Sequence, residues 1–355
     1  MNVTYFRAAI LKQYAQKWPK RLPSAIRQLG LTTGQDGFFV GALHSAFCVK
    51  EIEFLPFARL PQLRRSDCVI VNSKSSLMKQ KKYAVLEKFG TVPKVLFLAS
   101  DKASYMPPDD VLDRFDLVYK REPYLDRDRY KIKPSNADKI RPTMLSCPFF
   151  RVKKKVLANG DSLGENTLQV SKQRADYQYS VGFNGSASSY ERLEICEALA
   201  SYPDADLRLQ PHPKTSGVVP VQMRTSRITR AEYMMQLEAT KVNLALRGLG
   251  EFTYRHLEIW AKRGFMISTP LLKELELPID CPVEGAHYIS FRDKEDLLEK
   301  VQYYTKNDVK REEIAKQGQS FFSKIYNYER HGDCIKRQIF GQDGLNSNME
   351  SHEKF

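Results

Sequence analysis

Residues 248–260 read Gly-Leu-Gly-Glu-Phe-Thr-Tyr-Arg-His-Leu-Glu-Ile-Trp, and their types and spacing could do chemistry on a phosphate ester. An apolar run ends in a loop carrying Gly248 and Gly250, and the loop opens a helix near Thr253. Glycines let backbone approach a ligand closely. A helix start offers unpaired N–H groups and a partial positive charge, which suit a phosphate. Thr253 and Tyr254 lie at that start, and Arg255 could add a two-pronged contact to a diphosphate. Glu258 follows three residues later on the same face, where a carboxylate could accept both hydroxyls of a ribose. The plain alternative is an i,i+3 Arg–Glu surface pair on an ordinary crossover helix.

Other residues are weaker candidates. His212, between Pro211 and Pro213 after a predicted strand, could contact a phosphate or a base, or be a loop histidine held by its prolines. His44 and Asp101 each follow an apolar run and could act as a general base, or be a packed histidine and a turn cap. Asp126-Arg-Asp128 and Asp204-Ala-Asp206 mimic a metal-binding DxD pattern but read as surface loops, so no metal is expected to be required. His256, His287, His331 and His352 show no metal-ligand spacing, and no GxSxG or Walker A pattern is present. The six cysteines lie far apart with no CxxC and read as reduced thiols.

These residues need elements to hold them. Residues 5–17 and 23–29 look helical, and 38–43 and 52–57 look like strands. Residues 68–73 are a buried strand rich in β-branched residues, 75–89 a helix stopped by Gly90, 95–100 a strand, 111–115 a short helix and 117–119 a strand. Pro148, a basic stretch and a polar run over 151–178 read as a linker. The rhythm restarts with strands at 179–185, 206–210, 242–246, 264–268 and 286–291, separated by helices at 189–201, 228–240 and 253–263. Asp293 caps a helix over 294–304, a long helix runs from 309 to about 339, and 341–355 reads as a disordered tail. Strands alternating with helices predict an α/β architecture with parallel sheets.

The chain has 355 residues, enough for about two domains. Lys and Arg number 56 against 42 Asp and Glu, a formal charge of +14, which favours an anionic partner without naming one. No nucleic-acid motif is found, and no apolar run approaches the ~20 residues of a membrane span. The N-terminus lacks the layout of a signal peptide, so the chain reads as cytoplasmic.

Read in order, the 248–260 segment is followed by Gly264 and an apolar strand, by 285–291 (Gly-Ala-His-Tyr-Ile-Ser-Phe) with Asp293 and Asp296-Leu297, and by 311–318 (Arg-Glu-Glu-Ile-Ala-Lys-Gln-Gly). This ordered set resembles the C-terminal nucleotide-binding domain of GT-B glycosyltransferases, in the group-1-like branch that includes the spore-maturation CgeB-like proteins. The resemblance covers 179–330; residues 1–150 match only as a general α/β half. It implies two Rossmann-like domains facing across a cleft: an acceptor domain over 1–150, a linker over 151–178, and a nucleotide-sugar domain over 179–320. A helix over 321–340 would cross back to the first domain. By this likeness Glu258 holds the donor ribose, Arg255 meets the diphosphate, and Thr253 and Tyr254 present helix-start N–H groups. Arg247 and Gly250 belong to the donor loop, and Asn184 and Gly185 lie near the cleft beyond a strand end. Glu251 stands near where relatives carry an acidic residue close to the donor sugar, with the spacing one residue shorter.

The implied activity is transfer of a sugar from a nucleotide-sugar donor to a glycan or lipid-linked acceptor, without a metal or other cofactor. A basic surface would suit peripheral contact with an anionic membrane. The Pro-His-Pro element also resembles that of sialyl-, Kdo- and glycerophosphotransferases, which use CMP- or CDP-linked donors. Their acidic-acidic-Gly run is not found, so the donor base stays open. A non-catalytic α/β protein that binds a polyanion is the alternative outside enzymes.

Overall fold

Runs rich in valine, isoleucine and leucine, buried on both faces and joined by crossovers, build two all-parallel sheets in the computed structural model. It describes residues 1–8, 36–52, 65–100, 102–147, 150, 152–159, 177–213, 218–226, 228–248, 250–269 and 273–341. The chain divides into two units, one of residues 1–164, 276–279 and 327–355, the other of 165–275 and 280–326.

The first unit holds β1 (Asn2–Phe6), β2 (Cys48–Ile52), β3 (Cys68–Asn72), β4 (Lys94–Leu98), β5 (Leu117–Arg121) and β6 (Ile140–Thr143). Their spatial order is β2-β1-β3-β4-β5-β6, so the direction of winding reverses between β1 and β3. Helix α1 (Gly37–Ala46) joins β1 to β2, where a strand was expected over 38–43. Every residue from Gly37 to Leu43 is buried, and a run apolar all round has no period to separate helix from strand. Tyr5 and Phe6, expected to be helical, end β1, and residues 9–29 lie outside the described residues. The strand expected at 52–57 instead ends at Ile52, with 53–57 undescribed.

The helix expected over 75–89 is two single turns, α2 (Ser76–Lys79) and α3 (Ala84–Glu87), separated by Lys81 in a left-handed conformation. Short helices α4 (Asp109–Leu112) and α5 (Pro134–Ala137) precede β5 and β6. β6 escaped sequence reading because Pro142 argues against a central strand; it is tolerated because β6 is an edge. Residues 154–158, expected in a linker, form α6 (Lys154–Ala158), with Lys154 and Leu157 buried in the first unit.

The second unit holds β7 (Tyr179–Ser186), α7 (Tyr190–Leu199), β8 (Ala205–Gln210), α8 (Arg230–Glu238), β9 (Thr240–Ala245), α9 (Tyr254–Ala261), β10 (Met266–Ser268), β11 (Ile289–Ser290), α10 (Lys294–Lys306) and α11 (Asp308–Ile325). The order is β11-β10-β9-β7-β8. β7 is followed by β8 on one side and β9 on the other, so the winding reverses between β7 and β9. In such sheets ligands settle beyond the carboxyl ends of the strands at this reversal.

The long helix expected from 309 to 339 breaks at Tyr326 and Asn327, where the Asn327 side chain accepts from the Arg330 N–H at 2.9 Å and caps a new helix, Tyr328–Phe340. This final helix belongs to the first unit and packs on α1. Ser45 Oγ donates to the Tyr328 carbonyl at 3.0 Å, and Gly332 lies so close that an added Cβ would stand 2.5 Å from the Ala42 carbonyl oxygen. Residues 342–355, the expected tail, lie outside the described residues.

Candidate functional site

The reversal between β7 and β9 gathers most of the candidate residues of the 248–260 segment. The loop after β9 makes a tight turn in which the Gly248 N–H donates to the Gly250 carbonyl at 2.9 Å. It delivers the chain to Thr253, the cap of α9. His256 fills the place usually taken by Glu or Gln in a capping box: its Nδ1 accepts from the Thr253 N–H at 3.0 Å. That assigns the ring proton to Nε2, which donates to Ser268 Oγ at 2.9 Å. Ser268 Oγ in turn donates to the Ala245 carbonyl at 3.4 Å. The start of α9 is thereby tied to the ends of β9 and β10. Burial pushes the His256 imidazole down to about 3, despite the Thr253 carbonyl 3.3 Å from Nδ1, which favours the charged ring, so the ring is neutral at physiological pH.

Arg255 is the second residue of this anchored helix. Its guanidinium carbon lies 4.5 Å from the centre of the Phe183 ring and 5.4 Å from that of Tyr233. It makes no hydrogen bond or ion pair to another described residue. A cation stacked on rings and left without a carboxylate is ready for an anion. The alternative Arg255–Glu258 surface pair is not formed. Glu258 is instead buried, 4% exposed, and its Oε2 accepts from the Tyr233 hydroxyl at 2.7 Å. Gly185 keeps this space open, since an added Cβ would stand 3.2 Å from Arg255 Nη2 and 3.1 Å from Phe183.

Arg192, on α7, had no place in the sequence-based site. It is 8% exposed and donates to three carbonyls: Arg247 at 2.6 Å, Ser186 at 2.8 Å and Leu246 at 2.9 Å. It therefore fastens the end of β7 to the loop after β9. Burial, then the nearby charge of Arg255, lowers its guanidinium to about 10, so it remains a cation. A lone arginine in an amphipathic helix carries no sequence signal for this role. The contacts exist only once β7 and β9 lie side by side.

Several candidate residues are engaged elsewhere. Asn184 turns to the other side of β7 from Phe183 and Gly185, and its amide donates to Gln236 Oε1 at 3.0 Å within a buried polar chain. Gln236 continues that chain to Asp206 at 2.6 Å, and Asp206 also takes Arg208 at 2.7 Å. Asp206 is thus buried in β8 and not on a surface loop as expected. Arg247 and Glu251 meet each other at 3.8 Å, and Arg247 also reaches Glu191 at 3.5 Å. Tyr254 is about a third exposed at the helix start. His212 follows β8, an edge strand, and not the β7–β9 reversal.

In the first unit His44 is engaged by a carboxylate. The start of α1 lies at the carboxyl end of β3, because Asp36, its cap residue, accepts from Asn72 Nδ2 at 3.1 Å and from the Tyr5 hydroxyl at 2.6 Å. His44, in the last turn of α1, lies beside Glu51, which pairs in register with Tyr5 near the carboxyl ends of β1 and β2. Its Nε2 contacts Glu51 at 2.9 Å, beside Arg7 and Lys154, which both pair with the same carboxylate. Burial would raise the Glu51 carboxyl, but the hydrogen bond from His44 and the charges of Lys154 and Arg7 outweigh it and hold it at about 2. Asp101 lies outside the described residues. Asp126 caps a one-turn helix by accepting from the Asp128 N–H at 3.0 Å. Among the described residues no three His, Cys, Asp or Glu gather into a group that could hold a metal ion. Among them, too, no helix is long and apolar enough to cross a membrane.

Residues 192–335 match the family model described as "Glycosyl transferase-like". No curated protein matches the chain. Solved structures do. Anabaena HepE, solved in complex with UDP and glucose, is 11% identical, with 96% of this chain and 99% of that one covered at a TM-score of 0.58. A glycosyltransferase from Rickettsia africae is 12% identical with the same coverage of 96% and 99% and a TM-score of 0.53. The DNA-modifying enzyme β-glucosyltransferase, studied with and without uridine diphosphoglucose, is 11% identical over 96% and 99% at 0.52. At these identities the likeness is one of fold, and the fold is GT-B.

Proposed function

With a group-1-like glycosyltransferase domain over residues 192–335 of a GT-B fold as the premise, we propose that the protein moves a sugar from a nucleoside-diphosphate sugar to a hydroxyl of a glycan or lipid-linked acceptor, without a metal. The observation that carries this reading is Arg255: a cation at the opening of α9, at the β7–β9 reversal, with no acidic partner among the described residues. As the sugar–oxygen bond breaks, negative charge grows on the departing diphosphate. Arg255 and the opening of α9 that carries it are the groups we assign to receive it, so little reorganisation is needed. Glu258, one turn on, accepts the ribose hydroxyls. An inverting transfer also needs a base for the acceptor hydroxyl, and Asp101, three positions past Leu98 in the sequence, is our candidate.

The test is thermal unfolding with ADP, CDP, GDP, UDP, dTDP and CMP. UDP comes first, because two of the solved relatives are described with UDP or its glucose ester. One nucleoside diphosphate should stabilise the protein by about 2.7 kcal/mol at a hundred times its Kd. Arg255→Ala and Glu258→Ala should remove that gain, and a chelator should leave sugar transfer unchanged. No response to any nucleotide would defeat the proposal. A response to CMP or CDP above the others would move the donor to the cytidine-linked class.

A further inference from the structure

Tyr233 touches both of the groups assigned to the donor. Its hydroxyl donates to Glu258 Oε2 at 2.7 Å, and its ring lies 5.4 Å from the Arg255 guanidinium carbon. It is also firmly mounted. Thr229 and Glu232 form a reciprocal capping box at the start of α8, with hydrogen bonds of 3.2 and 2.7 Å. Less than one turn past Tyr233, Gln236 is buried and pinned between Asn184 and Asp206. The helix carrying Tyr233 is therefore capped just before it and fixed to β7 and β8 just after it. Nothing in the sequence around it, Tyr-Met-Met-Gln-Leu-Glu, marks the tyrosine out.

We propose that Tyr233 is a positioning residue for donor recognition, whose hydroxyl orients the Glu258 carboxylate toward a ribose while its ring backs Arg255 against the diphosphate. This rests on the reading of Arg255 and Glu258 given above. A carboxylate 4% exposed has little water to steady it, so its orientation depends on the donors that protein supplies. The tyrosine hydroxyl occupies part of Oε2 and sets the plane in which the remaining lone pairs meet a vicinal diol. The same ring, with Arg255 over it, limits how far the guanidinium can swing. Two functions are thus separable on one side chain, the hydroxyl for the sugar of the nucleoside and the ring for the phosphates.

The experiment compares binding of three ligands by calorimetry: the nucleoside diphosphate that stabilises the wild-type protein most, its 2′-deoxy counterpart, and the corresponding nucleoside monophosphate. Each preference is a ratio within one variant, so a general loss of affinity or fold moves numerator and denominator together. In the wild type the ribose form should bind about tenfold more tightly than the 2′-deoxy form, the size of one hydrogen bond to a carboxylate. In Tyr233→Phe that ratio should fall toward one while the preference for diphosphate over monophosphate is kept. In Tyr233→Leu both preferences should fall. An unchanged ribose preference in Tyr233→Phe, with the same preference abolished in Glu258→Gln, would overturn the inference and leave the function standing. Binding of the diphosphate unaffected by Glu258→Gln and Arg255→Ala would overturn the function itself.

Discussion

At the scale of the residue, the arrangement turns on a cation that has no counter-charge among the described residues. Arg255 rests on Phe183 and Tyr233, and rings stabilise a guanidinium without neutralising it. Its freedom depends on Gly185. Gly185→Ala would place a methyl 3.2 Å from Arg255 Nη2 and 3.1 Å from Phe183, so the arginine must shift. Nucleoside-diphosphate affinity should then fall about tenfold, while thermal stability without ligand drops by less than about 1 kcal/mol, because side-chain atoms, and no backbone, have to give way. Isothermal titration and a melt without nucleotide measure the two effects. A large loss of stability with unchanged affinity would mean that Gly185 serves the sheet and not the site.

At the scale of the element, the site exists because strand ends and a helix start are fastened together. Arg192→Ala would release the carbonyls of Ser186, Leu246 and Arg247 at once. Loss of stability by about 3 kcal/mol is expected, readable in urea unfolding. Arg192→Lys should not restore it, since an ammonium cannot reproduce a planar fork reaching three acceptors. His256 adds a pH dependence. Burial lowers its folded value to about 3, well below the ordinary 6.5, so below pH 6.5 the unfolded chain takes up a proton that the folded one refuses. Its stabilising share is therefore complete above pH 6.5 and shrinks as pH falls, by about 2 kcal/mol at pH 5. His256→Gln keeps a capping acceptor and should flatten that slope in urea unfolding at pH 7, 6 and 5.

At the scale of the whole molecule, the chain's last helix completes a unit begun by its first residues. His331 from that helix is fully buried, contacts Thr143 Oγ1 at 2.9 Å and stacks on Phe38 at 5.2 Å. Burial lowers its imidazole to about 3 as well, so both units should lose stability together on mild acidification. Gly332→Ala would drive a methyl to 2.5 Å from the Ala42 carbonyl oxygen and from Ser45 Oγ, with backbone on one side that cannot yield cheaply. Melting should fall by the equivalent of about 2 kcal/mol, whereas the change in stability caused by nucleotide should persist. Limited proteolysis followed by mass spectrometry should find the new cleavages in residues 1–164 and 327–341.

Much was legible beforehand where one local rule decided the matter. Cys68–Asn72 and Tyr179–Ser186 carry enough β-branched or apolar character to read as strands, and Asp293 before an amphipathic run announces α10. The opening of α9 after Gly248 and Gly250, with Arg255 and Glu258 one turn apart, was visible from spacing alone. What spacing left undecided was whether those two charges pair with each other. Tyr233 decides it by taking Glu258, and it comes from a helix more than twenty residues earlier. Arg192, His256 and the burial of Asp206 were hidden for the same reason: each draws its role from neighbours that only sheet pairing supplies. Local sequence sets propensity and charge, whereas hydrogen-bond partners and burial are properties of what the fold places alongside. The sequence thus determined which elements and which charges the second unit has. Only the tertiary structure decided which of those charges pair with one another.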